Sequence, residues 1–198
     1  LLQCCAGLRA PDSGRVRIGG ADSGSRALIV SGVIGYVAEG VRLPAERTLG
    51  QLERWLAPLH RRWDTYLATS LRERFGLDAS CRLATLSRGE YMKASLLCAL
   101  AAQPRVLLMD EPFTGIDALS KDEILRAMVA SAAANGTTVM IASHDIAEIE
   151  SALSHTAILT AGRLRVAGAL EQLRERYRRV TMVGDEDVLA AFAREQAW

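Results

Sequence analysis

The spacing of hydrophobic and polar positions changes several times along the chain, and each change marks an element. Leu49, Leu52, Leu56 and Leu59 recur at the three-and-four spacing of one helix face, and Tyr66, Leu67, Leu71 and Phe75 repeat it in a second helix. Compact apolar blocks without that spacing predict strands at Arg15 to Ile18, Val33 to Val37, Val106 to Met109 and Thr137 to Ala142. A Gly/Ser-rich stretch, Gly19 to Ser25, predicts a loop between the first two. Ser87 and Glu90 form an S-x-x-E capping box that opens a helix through Tyr91, Met92, Leu96, Leu97 and Leu100, stopped by Pro104. Asp117 to Ala134 predicts a helix closed by Asn135-Gly136, a C-cap signal. Ala157 to Thr160 and Arg163 to Val166, around Ala161-Gly162, predict a hairpin. Leu170 to Arg179 predicts a basic helix whose arginines form a solvated face.

This alternation of strands and helices implies an α/β fold. A helical insert at residues 40–85 divides a core of residues 1–39 and 86–168, and residues 169–198 form a C-terminal extension. The length of 198 residues suits one domain, and a hydrophobic fraction of 49% is enough for a core. A formal net charge of +1 gives no electrostatic case for nucleic acid. No apolar run reaches membrane-spanning length, and the first residues do not read as a secretory signal. Cys4, Cys5, Cys81 and Cys98 form no C-x-x-C pair, which favours buried free thiols in a reducing cytosol over a metal site.

The candidate chemistry begins at Arg105 to Pro112, where the apolar run Val106 to Met109 ends in Asp110 and Glu111. A buried strand that delivers two acids to a sheet edge suits nucleotide hydrolysis: one carboxylate reaches a Mg²⁺ shell and the next polarises a water. The alternative is a core strand followed by a solvated acidic turn. Ser87 and Gly89 at a helix N-terminus make a candidate anion site, because backbone N–H groups face outward and Gly89 permits close approach of a phosphate. The alternative there is an ordinary capped helix. Ser143-His144-Asp145 directly follows a strand, and open α/β sheets bind ligands at the carboxyl ends of their strands. The alternative for His144 is a cap on a helix beginning near Asp145.

Together these segments resemble the nucleotide-binding domain of an ATP-binding cassette (ABC) ATPase. Leu86-Ser87-Arg88-Gly89-Glu90 is similar to the family's signature, L-S-G-G-Q. Val106 to Glu111 resembles its Walker B strand and catalytic glutamate, and Gly115-Ile116-Asp117 its D-loop. His144 falls on its switch histidine, and Gly35-Tyr36-Val37-Ala38-Glu39 on its Q-loop, G-Y-V-P-Q. Lys121 to Leu125 and Trp63-Asp64 look closest to small bacterial exporter-type ATPases encoded apart from their membrane subunits. The resemblance implies a P-loop NTPase-type core with an inserted helical subdomain, incomplete at the N-terminus. No G-x-x-x-x-G-K-[ST] occurs, and neither Lys93 nor Lys121 follows such a loop. Leu1 to Leu8 and Pro11-Asp12-Ser13-Gly14 resemble the segment just after that loop, so the expectation is a fragment whose phosphate loop lies upstream. A degenerate, non-binding relative is the competing expectation.

The resemblance also implies roles. Asp110 supports Mg²⁺, with Glu39 contacting Mg²⁺ or water; Glu111 polarises the attacking water; His144 contacts the γ-phosphate. In a homodimer or heterodimer of ATPase subunits, Ser87, Arg88, Gly89 and Glu90 of one subunit face the ATP held by the other, and Asp117 communicates across the interface. A membrane-spanning permease subunit is the implied partner, docked in a groove between helical insert and core, on the cytoplasmic face of the membrane. Three departures bear on turnover: Glu39 replaces glutamine, Arg88 replaces glycine, and Glu90 replaces glutamine and would repel phosphate unless it turns back to cap its helix. Other classes implied by the family are a soluble ABC ATPase of translation or DNA repair and a regulatory cassette without turnover.

Overall fold

The computed structural model describes residues 1–25, 32–38, 42–147 and 149–177. They fall into two compact units, Leu1–Ile149 and Glu150–Trp198, the second described as far as Tyr177.

The first unit opens with a short helix α1 (Leu2–Cys5) and a hairpin of β1 (Arg17–Ile18) and β2 (Ala21–Asp22). The expected loop at Gly19 to Ser25 therefore contains a strand. Its two-residue turn is Gly19-Gly20, with φ of 58° and 84°, the left-handed pair that a tight hairpin requires. Ser23 Oγ donates to the Cys4 carbonyl at 2.9 Å and ties the hairpin to α1.

The core is a three-stranded parallel sheet of β3 (Ile34–Ala38), β4 (Val106–Asp110) and β5 (Thr138–Ala142), with β4 in the middle. Leu107, Leu108 and Met109 of β4 are buried, as expected for a central strand covered on both faces. In register, Ala38 pairs with Asp110 and Asp110 with Ala142, so the three strands end level.

Between β3 and β4 lie α2 (Leu49–Leu56), α3 (Thr65–Arg74) and α4 (Arg88–Ala101). Thr48 and Gln51 cap α2 reciprocally, and Asp64 caps α3. The helix expected to reach Leu59 leaves the α form at Leu56 and ends in a 3₁₀ turn, Ala57–Leu59, because Pro58 has no N–H to continue the ladder. Packed against α2, α3, α5 and β3, α4 buries Leu96, Leu97 and Leu100 almost completely, each worth about 1.5–3 kcal/mol of transfer free energy. After β4, α5 (Ala118–Asn135) starts at its Asp117 cap and ends at Gly136 with φ 63°, the left-handed C-cap that the Asn-Gly pair predicts. Lys93 of α4, a buried lysine, pairs with Glu123 of α5 at 2.5 Å and joins the two helices.

The second unit holds an antiparallel hairpin of β6 (His155–Thr160) and β7 (Arg163–Ala169), then α6 (Leu170–Arg176). Both strands are longer than the sequence pattern predicts. The predicted extension of the last helix to Arg179 runs outside the described residues. All four cysteines are free, but only Cys98 is buried; Cys4, Cys5 and Cys81 are half-exposed, contrary to the expectation of four buried thiols. Burial pushes the Cys98 thiol up to about 12, which keeps it protonated and inert. Among the described residues no helix is long and apolar enough to cross a membrane.

Candidate nucleotide-hydrolysis site

The level strand ends bring the candidate residues together. Asp110 closes β4 between Ala38 and Ala142. Glu111 then turns out of the strand with φ 48°, while its N–H still donates to the Ala142 carbonyl at 2.9 Å. A left-handed backbone at a residue with a side chain costs about 1–3 kcal/mol. Pro112 and Phe113, both almost fully buried, anchor the chain immediately after the turn and oppose that cost. The twist separates the two acids: Asp110 stays at the strand end and Glu111 is carried towards β5.

There Glu111 meets His144. The imidazole Nδ1 lies 2.8 Å from Glu111 Oε2, and Thr114 Oγ1 donates to the same oxygen at 3.3 Å. The His144 side chain is 75% exposed and that of Glu111 34%, so the pair opens to solvent and can receive a soluble substrate. His144 stands two residues beyond β5, in a turn made by Ser143 and Asp145. The Asp145 N–H donates to Ser143 Oγ at 3.1 Å, and Asp145 Oδ1 accepts from the Ala147 N–H at 3.1 Å. Residues 143–147 contain no helix, so the alternative in which His144 caps a helix starting near Asp145 does not hold.

Asp110 has a partner that the sequence did not disclose. Tyr36 Oη donates to Asp110 Oδ2 at 3.4 Å across 74 positions of sequence. Burial, and then the charge of Asp110, push the Tyr36 phenol up from its ordinary value, while a side-chain hydrogen bond with Gln3 of α1 opposes this. The phenol therefore remains a donor. Glu39, the remaining residue expected near this cluster, lies outside the described residues.

A second group forms where the N-termini of α4 and α5 meet. Ser87 caps α4, and the box is reciprocal: Ser87 Oγ accepts from the Glu90 N–H at 3.3 Å, and the Ser87 N–H donates to Glu90 Oε2 at 2.8 Å. Glu90 thus turns back onto its own helix. The Ser87 hydroxyl and N–H hold its carboxyl below the usual range. Asp117 Oδ1 accepts from the Ser120 N–H at 2.9 Å, and these bonds hold the Asp117 carboxyl low as well. Gly89 is buried between the helices: a Cβ there would lie 2.9 Å from Ser120 Oγ and 3.2 Å from Ser120 Cβ. Gly115, with φ 68°, lies under the Arg88 guanidinium, where a Cβ would come within 2.7 Å of a terminal nitrogen. Gly89 is required by the close approach of the two helices and Gly115 by its left-handed backbone, since the Arg88 side chain can move aside; the sequence reading assigned neither role.

The carboxyl ends of the parallel strands thus carry Asp110, Glu111 and His144, where open α/β sheets bind ligands. The family model described as "ABC transporter" matches residues 1–114, more than half of the chain, and the chain belongs to that family. It is similar to the ABC transporter ATP-binding protein YtrB of Bacillus subtilis, 32% identical over 149 residues, covering 75% of this chain and 51% of that protein. It is also similar to the Fe(3+) ions import ATP-binding protein FbpC of Pseudomonas fluorescens, 31% identical over 176 residues, covering 85% of this chain and 49% of that protein. A solved ATP-binding subunit of an ABC transporter superposes with a TM-score of 0.77 at 25% identity, over 88% of this chain and 75% of that one. The chain spans about half the length of the curated relatives it matches.

Proposed function

We propose that the complete protein is the ATP-binding, energy-coupling subunit of an ABC transporter, in which ATP hydrolysis within a dimer drives movement of a separate membrane subunit. The observation that carries this reading is the 2.8 Å bond between Glu111 and His144 at adjacent strand ends, beside Asp110. The names of the relatives, which include import ATP-binding proteins, agree with it.

In this reading Glu111 orients a water and takes up proton density as the water attacks. His144 holds the Glu111 carboxylate through Nδ1 and leaves its other ring nitrogen to face the phosphoryl group. Thr114, on the same Glu111 oxygen, restricts the carboxylate further. Mg²⁺ fits Asp110: a carboxylate at a strand end is a hard oxygen donor. When bound, Mg²⁺ neutralises charge developing on the phosphates. Tyr36 orients the Asp110 carboxylate, and Glu39 contacts Mg²⁺ or its water.

Ser87, Arg88 and Glu90 form the surface that faces the ATP of the second subunit, with Asp117 beside it, whereas Gly89, expected on that surface, is buried against Ser120 and serves the helix packing beneath it. Glu90, folded back onto Ser87, keeps its charge within the cap. The sequence contains no phosphate-cradling G-x-x-x-x-G-K-[ST], so hydrolysis requires phosphate contacts beyond those in these residues.

The helical insert, residues 40–85, and the core enclose a groove of about 190 Å³ lined by Tyr36, Ala38, Leu43, Leu56, His60 and Cys98. In this reading the groove receives a cytoplasmic helix of the permease, and the protein works on the cytoplasmic face of the membrane. Tyr91 of α4 hydrogen-bonds the Leu43 backbone N–H, so the groove wall is tied to the helix that begins at Ser87. Co-purification of the complete protein with its membrane subunit, combined with ATPase assays of the complex with and without Mg²⁺, tests the reading. Absence of Mg²⁺-dependent hydrolysis in an intact complex overturns it.

A further inference from the structure

The helical insert carries a surface that neither the site nor the groove uses. Trp55 is 50% exposed, Leu59 70% and Tyr66 86%, all within one stretch that runs from the end of α2 to the start of α3. Exposed arginines are interleaved with them: Arg47, Arg54, Arg61 and Arg62. The Arg47 guanidinium lies 4.2 Å from the centre of the Trp55 ring, so the indole is presented in a fixed orientation with a cation against its face. The nearby acids are largely committed elsewhere. Glu53 is bridged to Arg72 at 2.6 Å, and Asp64 accepts from the Leu67 N–H at 2.8 Å and from the Gln103 amide at 2.9 Å. Apart from Glu46, the outward charge is guanidinium.

The interior does not explain these apolar side chains. Leu49 and Leu52 fill the buried face of α2, and Ala68 and Leu71 that of α3. Trp55, Leu59 and Tyr66 are left outside, among cations. Large exposed apolar side chains interleaved with exposed arginines suit an anionic lipid–water interface, where indole and phenol sit at headgroup depth and guanidinium pairs with phosphate.

We propose that the exposed side chains of this part of the helical insert, Trp55, Leu59 and Tyr66 with Arg47, Arg54, Arg61 and Arg62, rest on an anionic lipid surface. The proposal needs only these exposed residues, and it adds to the permease groove a direct contact with the bilayer. Polynucleotide is the weaker match to the same arginines. Leu59, exposed and apolar, has no role against a phosphate backbone but inserts readily at a lipid–water interface.

The test is sedimentation of the chain with phosphatidylcholine vesicles, with and without phosphatidylglycerol. Binding should require phosphatidylglycerol. Arg61→Ala with Arg62→Ala should weaken it about 20- to 30-fold, at roughly fivefold per arginine. Brominated lipid should quench tryptophan fluorescence in the wild type, and Trp55→Phe should reduce that quenching, the remainder coming from the half-exposed Trp63 in the same segment. Circular dichroism should show all variants folded, since every substituted side chain is exposed. Three outcomes overturn the proposal: equal binding to both vesicle types, binding to single-stranded oligonucleotide at least as tight as to anionic vesicles, or concentration-dependent self-association abolished by Trp55→Phe. None of these readouts involves ATP hydrolysis, so failure here leaves the reading of the nucleotide site intact, and failure of that site leaves this surface to be judged separately.

Discussion

Gly89→Ala distinguishes packing from ligand approach at the α4–α5 junction. The perturbation is one methyl group. In an open helix it would stabilise by up to about 1 kcal/mol through propensity. Here the added carbon meets Ser120 Oγ at 2.9 Å and Ser120 Cβ at 3.2 Å. The hydroxyl can rotate, but Ser120 is only 7% exposed and has little room, and its Cβ cannot leave without moving α5. Overpacking of this kind costs about 1–3 kcal/mol, which outweighs the propensity gain and leaves a net loss of about 1 kcal/mol. For a chain of this length that corresponds to a fall in Tm of about 2–4 °C. Calorimetry of the wild type, Gly89→Ala, Ser120→Gly and the double variant measures it. The penalty of Gly89→Ala should shrink in the Ser120→Gly background, because the clashing atoms are gone. A melting point unchanged or raised by Gly89→Ala, or the same penalty in both backgrounds, would refute the packing argument.

Two further outcomes follow from the same geometry. Because Ser87 holds the Glu90 carboxyl below its unfolded value, Glu90 contributes stability that is present above the ordinary carboxylate range and lost as pH falls through its folded value. The gap in urea midpoint between wild type and Glu90→Ala should therefore close on acidification, and a gap that stays constant or widens contradicts the assignment. In the complete protein, His144→Ala should lower turnover by about 10²–10³ while melting temperature and ATP affinity change little, since the ring is 75% exposed and begins no helix. A loss of stability with normal turnover per folded molecule would remove His144 from the site.

The parts of this molecule that were legible in the sequence are those governed by local rules. Ser87 and Glu90 announced a capping box, Asp117 and Gly136 bounded a helix, and Val106 to Met109 marked the central strand, because caps and periodicity act over a few residues. The Thr48–Gln51 box was equally local and was missed only because leucine spacing drew the helix boundary. The remainder depends on contacts between distant segments. The Tyr36–Asp110 bond spans 74 positions, and the seat of Gly89 depends on how α4 meets α5. No local pattern encodes those distances. The left-handed turn at Glu111 lies between the two cases. Adjacent acids before a proline suggested a site, but the twist that sends Glu111 to His144 and leaves Asp110 with Tyr36 is set by the register of three strands.

The most direct test of the catalytic account is single-turnover phosphate release by the complete protein carrying Glu111→Gln, measured with bound ATP on the same sample. An amide preserves the size of the side chain but cannot take up a proton from water. The account predicts ATP affinity close to that of the wild type and phosphate release slowed by about 10²–10⁴. Phosphate release at the wild-type rate would contradict it and move the base to another residue.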